Sequence, residues 1–315
     1  MRVAFFGTPQ YAVPTLEALI DAGHEVVTVV AQPDKRRGRG KKLQSPPVVQ
    51  RARELGLETR QPRGVRSGPF PRNYGQLDLD VAVVVAYGRI LTPELLSVPR
   101  LGCINGHGSL LPAWRGAAPI QHSILSGDRV TGVTTMQMDE GLDTGPMLLR
   151  RELAIGEDET SLELAPRLAQ LTAELLVQTL AELPGPTPQQ HERATHARML
   201  EKEDGRMLWT RGARELHCQV RALQPWPGAF CTFRDQPFKV KRSRVVDAQG
   251  HPGEVIEAGK RLVVAAGSGA LEIVEGQLPN RKAVPGRDLV NGGRIEVGEV
   301  FHSIQRERPD PNLLG

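Results

Sequence analysis

Hydrophobic positions follow two different rhythms along the chain. In the first half, short apolar runs alternate with helical spacings. Val3–Phe6 reads as a strand that ends in the turn Gly7-Thr8-Pro9, and Tyr11–Ala22 carries apolar residues at helical spacing up to Gly23. Glu25–Ala31 predicts a second strand, Gln32–Pro47 a long loop rich in glycine and charge, and Val48–Leu55 a helix. Asp80–Ala86 is apolar on both faces, as a buried parallel strand should be. Cys103–His107 predicts a further strand, with helices near Ala117–Ser126 and over Ser161–Leu183. Strand and helix in this order predict an α/β domain, an open, mainly parallel sheet with helices on both faces.

From about residue 204 the rhythm changes. One helix, Ala213–Ala222, precedes the short strands Phe238–Val240, Gly253–Ile256, Leu262–Ala265 and Leu271–Ile273, separated by Gly and Pro. That texture predicts a small β-barrel or sandwich. The stretch Pro184-Gly185-Pro186-Thr187-Pro188 breaks regular structure between the two textures. The expected division is residues 1–186, a linker at 187–203, and residues 204–315.

Composition narrows the class. With 315 residues, 39% hydrophobic and 24% charged, the chain has material for two folded domains, and disorder is excluded. The longest apolar run, Val81–Tyr87, falls far short of the ~20 residues of a membrane helix. A turn interrupts the amino terminus before a signal-peptide core can form. A soluble cytoplasmic protein with no membrane partner is expected, and a monomer. The three cysteines have no CxxC spacing and the eight histidines form no HExxH pair, so no metal is expected. The net charge of +4 hides an asymmetry: residues 32–42 carry six bases and one acid, and residues 205–261 eleven bases and five acids. Basic surface in two places points to a polyanionic partner.

The candidate chemistry lies where the strand Cys103–His107 ends. Residues two apart on a strand share a face, so Asn105 and His107 project together. Downstream, Asp139-Glu140-Gly141-Leu142-Asp143-Thr144-Gly145 is a glycine-bounded loop that offers carboxylates. Amide, imidazole and carboxylate are the groups that stabilise an oxyanion and move protons. The residues alone leave a second reading open, in which Asn105 caps a turn and His107 is an ordinary core histidine.

The stretch from Asn105 to Ile120, with Thr131-Gly132-Val133 and Gly141–Gly145, resembles the signature of folate-dependent formyltransferases. Three further pieces, Gln32–Leu43, Val85–Gly88 and Arg221–Ala229, resemble the branch of that family that formylates methionine on initiator tRNA. The resemblance implies a Rossmann-like catalytic domain followed by a smaller barrel like the oligonucleotide-binding fold. It implies 10-formyltetrahydrofolate as co-substrate, without metal, and initiator methionyl-tRNA as partner. It places Asn105, His107 and Asp143 in the catalytic positions and Ser109, Leu110, Leu111 and Pro112 in the folate-binding position. Tyr87, Gly88, Arg89, Ile90 and Leu91 either receive the pterin or form an ordinary strand-to-loop turn. Arg36, Arg37, Arg39, Lys41 and Lys42 would follow tRNA phosphates.

The implied chemistry is direct attack of the neutral α-amine on the formyl carbon. Asn105 and a protonated His107 donate to the growing oxyanion, Asp143 orients the imidazole, and a proton reaches N10 of the leaving folate. Gly106 and Gly108 stand where the family has small apolar residues, and Pro146 where an acid is common; the glycines are expected to loosen the strand end. Arg115 is read either as a structural ion-pair or capping residue or as a substrate contact, Pro225-Trp226-Pro227 as rigid packing, and His191 and His196 as solvated.

Four rivals remain. A formyltransferase acting on a purine precursor would lack the second domain, and one acting on a nucleotide-linked amino sugar has no use for six cations in one loop. A non-catalytic RNA-binding protein has no use for Asn105, His107 and Asp143 together. A nicotinamide dehydrogenase is disfavoured because Phe6-Gly7-Thr8-Pro9-Gln10 lacks the GxGxxG pattern.

Overall fold

The computed structural model describes residues 1–37, 40, 42–291 and 295–304. The chain divides into two compact units, the first holding residues 1–120, 130–155 and 163–199, the second residues 121–129, 156–162 and 200–315.

The first unit contains the strands β1 (Arg2–Gly7), β2 (Glu25–Val30), β3 (Lys35–Arg37), β4 (Lys42–Gln44), β5 (Thr59–Arg60), β6 (Val81–Val85), β7 (Cys103–His107), β8 (Arg115–Gly116), β9 (Val130–Gln137), β10 (Met147–Ala154) and β11 (His196–Ala197). Seven of them form one sheet in the order β10-β9-β7-β6-β1-β2-β5, parallel from β7 to β5 and antiparallel at β9 and β10. This is the Rossmann-like, mainly parallel sheet expected. Its central strands, β6 and β1 from Val3 onward, are apolar and buried because both faces are covered. Val3, Phe5, Val81, Val83 and Ile104 pack on one side with Leu16 and Leu19 of the Val13–Asp21 helix and Leu176 and Leu180 of the Ser161–Glu182 helix. Ala4, Phe6, Ala82, Val84 and Cys103 pack on the other with Phe70, Tyr74 and Leu95.

Two local expectations change here. The basic stretch after β2 is not a plain loop. Strands β3 and β4 pair antiparallel, Lys35 opposite Gln44 and Arg37 opposite Lys42. Arg39 and Lys41 lie outside the described residues. The segment after Pro184 is not a free connector either. Thr187 exchanges backbone hydrogen bonds with Met147, and β11 pairs in parallel with β8.

The second unit has the helix Ala213–Ala222 and seven strands: β12 (Ala229–Phe233), β13 (Gln236–Val246), β14 (Val255–Ala258), β15 (Leu262–Ala265), β16 (Ala270–Gln277), β17 (Val284–Pro285) and β18 (Phe301–His302). Six of them run antiparallel in the order β14-β15-β16-β13-β12-β18, and β17 pairs with β16. The two ends of that order meet, since Val255 N–H donates to the Glu299 carbonyl and Phe301 N–H to that of Gly253, each at 2.8 Å. Closure removes the free sheet edges. Register shifts between Val240 and Ser243 bend the long β13 around the core, where Trp209, Phe238, Leu271 and Phe301 are buried. Trp226 was expected to pack rigidly, but it is 56% exposed. Neighbouring Gln224 is the buried anchor, donating to the carbonyls of Val220 and Lys241. Among the described residues no helix is long and apolar enough to cross a membrane.

Candidate active site

Strand β7 decides which way its side chains face. Ile104 and Gly106 point toward the Ser161–Glu182 helix, where a Cβ on Gly106 would sit 2.6 Å from Thr172 Cγ2 and 2.9 Å from Leu176 Cδ1. The glycine therefore lets helix and strand approach closely. This corrects the expectation of a loosened strand end: all five residues of β7 are buried. Asn105 and His107 take the opposite face and are themselves buried, 8% and 6% exposed.

The loop between β9 and β10 brings Asp143 to that pair. Asn105 Nδ2 donates to Asp143 Oδ1 at 3.4 Å, and His107 Nδ1 lies 3.7 Å from Asp143 Oδ2. The Gly116 N–H donates to the same Oδ2 at 2.8 Å. His107 Nε2 stands 2.9 Å from the Trp114 carbonyl oxygen. A carbonyl only accepts, so Nε2 is the donor to Trp114 and Nδ1 is the nitrogen that faces Asp143. Asp139 organises the loop itself, accepting from the Gly141 N–H and the Thr144 hydroxyl. The three sequence-selected side chains thus meet in one place.

Several other partners could not be read from local pattern. Gln189 Nε2 donates to the carbonyls of Asp143 and Gly145, at 2.9 and 2.6 Å. Arg115 is buried and donates to Gln189 Oε1 from Nε and Nη2, at 3.1 and 2.7 Å. Its Nη2 also lies 3.1 Å from His191 Nδ1, so His191 is a hydrogen-bond acceptor here rather than simply solvated. His196 is exposed on β11. Behind β7, Tyr11 Oη and Thr172 Oγ1 are 2.7 Å apart, and burial pushes the Tyr11 phenol up to about 12.

The stretches assigned to folate are built unevenly. Ser109 Oγ donates to the Ala113 carbonyl, and the Leu111 N–H to Thr134 Oγ1. Ser109 and Leu111 are fully buried, whereas Leu110 and Pro112 are half-buried. Ser109 and Leu111 therefore anchor the stretch, and Leu110 and Pro112 are its partly accessible side chains. At the end of neighbouring β6, Tyr87 and Leu91 are buried as well. The Tyr87 ring meets Phe6 edge-on at 5.2 Å, and burial pushes its phenol up to about 12. Gln32 Nε2 pins this turn by donating to the carbonyls of Tyr87 and Gly88. Arg89 donates to the Arg63 carbonyl, and Ile90 is left 56% exposed. The accessible groups are Gly88, Arg89 and Ile90, an apolar side chain beside open backbone, which suits a flat heterocycle.

Lys35, Arg36 and Lys42 are exposed on the β3–β4 hairpin. At its base Asp34 accepts from Gln61 Nε2 at 2.6 Å, and that hydrogen bond holds its carboxyl below the usual range. Among the described residues no group of three or more His, Cys, Asp or Glu is placed to hold a metal ion.

Residues 1–180 match the formyl transferase family, and residues 199–294 match the formyl transferase C-terminal domain. The chain is 48% identical to a methionyl-tRNA formyltransferase of Solibacter usitatus, over 95% of this chain and 98% of that one. It is 50% identical to one from Anaeromyxobacter dehalogenans, over 93% and 97% of the two chains. The fold is also similar to an N-formyltransferase from Helicobacter canadensis solved with folinic acid and dTDP-3-aminofucose. There the TM-score is 0.67 at 15% identity, covering 87% of this chain and 98% of that one.

Proposed function

The chain belongs to the formyl transferase family and, within it, to the methionyl-tRNA formyltransferases, and on that premise we propose how it transfers the formyl group of 10-formyltetrahydrofolate to the α-amine of methionyl-initiator-tRNA. The route is direct attack through a tetrahedral intermediate held by Asn105 and His107 with Asp143. The observation that carries it is the meeting of buried Asn105 and His107 with half-buried Asp143, the imidazole turned so that Nδ1 faces the carboxylate.

Asn105 donates its amide hydrogen to the formyl oxygen as that oxygen becomes negative. His107 Nδ1 accepts the proton that the amine loses as the new C–N bond forms. Asp143 stands beside the resulting cation, fixed in place by the Gly116 N–H. His107 then returns the proton to N10 as the bond from N10 to the formyl carbon breaks. One proton leaves the amine and one reaches the folate, so the exchange balances. Gly88, Arg89 and Ile90 at the end of β6, with Leu110 and Pro112 beyond β7, form the walls for the donor. Lys35, Arg36 and Lys42, with Arg37, Arg39 and Lys41 of the same stretch, supply charge for the tRNA backbone.

Residues 1–186 act as the catalytic part and 204–315 as the tRNA-binding barrel, joined through 187–203. One chain carries all three site side chains, so the reaction needs no second copy, and translation initiation places the protein in the cytoplasm. The test is formyl transfer from labelled donor to charged initiator tRNA, with a nucleotide-linked amino sugar as competing acceptor. Label is expected in the aminoacyl-tRNA. Label in the sugar, with the tRNA untouched, would overturn this reading.

A further inference from the structure

We infer that Gln189 is a positioning residue for the reaction, holding the Asp143 loop from a segment that lies between the two stretches matched to the family, 1–180 and 199–294. The inference rests on the role given to Asp143 above.

The chemistry of the neighbours fixes the orientation of the Gln189 amide. Its nitrogen faces two carbonyl oxygens, which only accept, and its oxygen faces a guanidinium, which only donates. Both amide hydrogens are used and the oxygen takes two more bonds, all in a side chain 5% exposed. A buried amide with its hydrogen bonds made has one low-energy pose.

That pose bears on the part of the loop that the internal contacts of Asp139 with Gly141 and Thr144 do not reach. Asp143 has φ +55°, in the left-handed region that non-glycine residues avoid. Gln189 grips its carbonyl and that of Gly145, so the backbone on both sides of Thr144 is tied down. The carboxylate end of Asp143 depends on the same segment. Its Oδ2 is held by the N–H of Gly116 on β8, and β8 pairs with β11, Gly116 opposite Ala197. Thr195 accepts from the Trp114 N–H through Oγ1 and from the Arg115 N–H through its carbonyl, steadying the turn whose Trp114 carbonyl holds His107. Residues 189–197 therefore set both partners of the His107–Asp143 pair. Arg115, with its guanidinium turned to Gln189 and His191, belongs to this strap.

The test uses the full chain and a two-by-two set of variants at Gln189 and Asp143. Gln189→Ala deletes the clamp. Gln189→Glu keeps the volume and the acceptor for Arg115, yet turns oxygen toward two carbonyls, and it serves if the alanine variant does not fold. Each is expected to lower kcat roughly 10–100-fold, as a misplacement near 1 Å does, with KM for both substrates changed by less than about threefold. In an Asp143→Ala background the Gln189 changes should cost less than about threefold, because the group they position is gone. An undiminished loss in that background would make Gln189 merely structural. Parental kcat in Gln189→Glu would also overturn the inference. If Asp143→Ala itself kept parental kcat, the reading of Asp143 would fail first, and this inference with it.

Discussion

The β7 face and the β3–β4 hairpin are the two places where the sequence concentrates candidate functional side chains, and they are built in opposite ways. Asn105 and His107 are buried on a strand paired on both sides, and backbone groups of Trp114 and Gly116 hold His107 and Asp143. Lys35, Arg36 and Lys42 stand exposed on a three-residue ladder anchored at its base by Asp34 and Gln61. In the proposed role, charge developing on one oxygen is stabilised only by donors already in place, which fits side chains that are buried and held by backbone groups. A polyanion is attracted over a Debye length of about 10 Å, so in the proposed tRNA-binding role exposed charge matters more than fixed geometry.

The strongest way to break this contrast is to substitute the buried pair. Asn105→Ala should lower kcat by ~10²–10³, roughly 2.7–4 kcal/mol, with KM nearly unchanged, and His107→Ala should cost at least as much. Steady-state kinetics with folding checked by circular dichroism decide it. A raised KM with parental kcat would return Asn105 to a structural role. Next in size is Gly106→Val, which drives a side chain into Thr172 and Leu176. A loss of roughly 1–3 kcal/mol in urea unfolding is expected, as for other overpacked cores. Unchanged stability would show that the helix can retreat.

On the hairpin, neutralising Lys35, Arg36 and Lys42 should leave folate binding intact and weaken tRNA binding. The salt slope should fall by roughly 0.7–0.9 for each tRNA phosphate that no longer meets a cation. A parental slope would make the hairpin an ordinary solvated ribbon. The smallest effect concerns its anchor. The folded-state value of Asp34 is depressed, first by Gln61 and also by Ser45. Its contribution is thus present above the usual carboxylate value of about 3.9 and is lost as pH falls through the lower folded value. Amide exchange across Lys35–Gln44 should quicken over that window, and Asp34→Asn should abolish the change.

The contrast also explains what was legible in the sequence. Strands β1 and β6 were, because burial on both faces forces continuous apolar runs. The helix Ala213–Ala222 was, because one apolar stripe marks its length. Asn105 and His107 were, because strand period alone puts them together. The hairpin reads as a loop in sequence: Lys35-Arg36-Arg37 and Lys42-Leu43-Gln44 are too short and too polar to show an apolar alternation. Gly106 misleads because local propensity counts a glycine as freedom, while here its missing side chain is the space a helix occupies. Gln189 is invisible in a proline-rich stretch, since its partners Asp143 and Arg115 are 46 and 74 positions away and only the tertiary fold joins them.

The pairing of β8 with β11 also has a consequence in time. Ribosomes deliver a chain from its amino terminus at ~5–20 residues per second. The strand that carries Asn105 and His107 and the loop that carries Asp143 emerge early, yet Gln189 and Thr195–Ala197 follow dozens of residues later. Until they arrive, the sheet can fold while Asp143 lacks its clamp. The nascent enzyme is therefore a scaffold first and a catalyst only once the strap has left the exit tunnel.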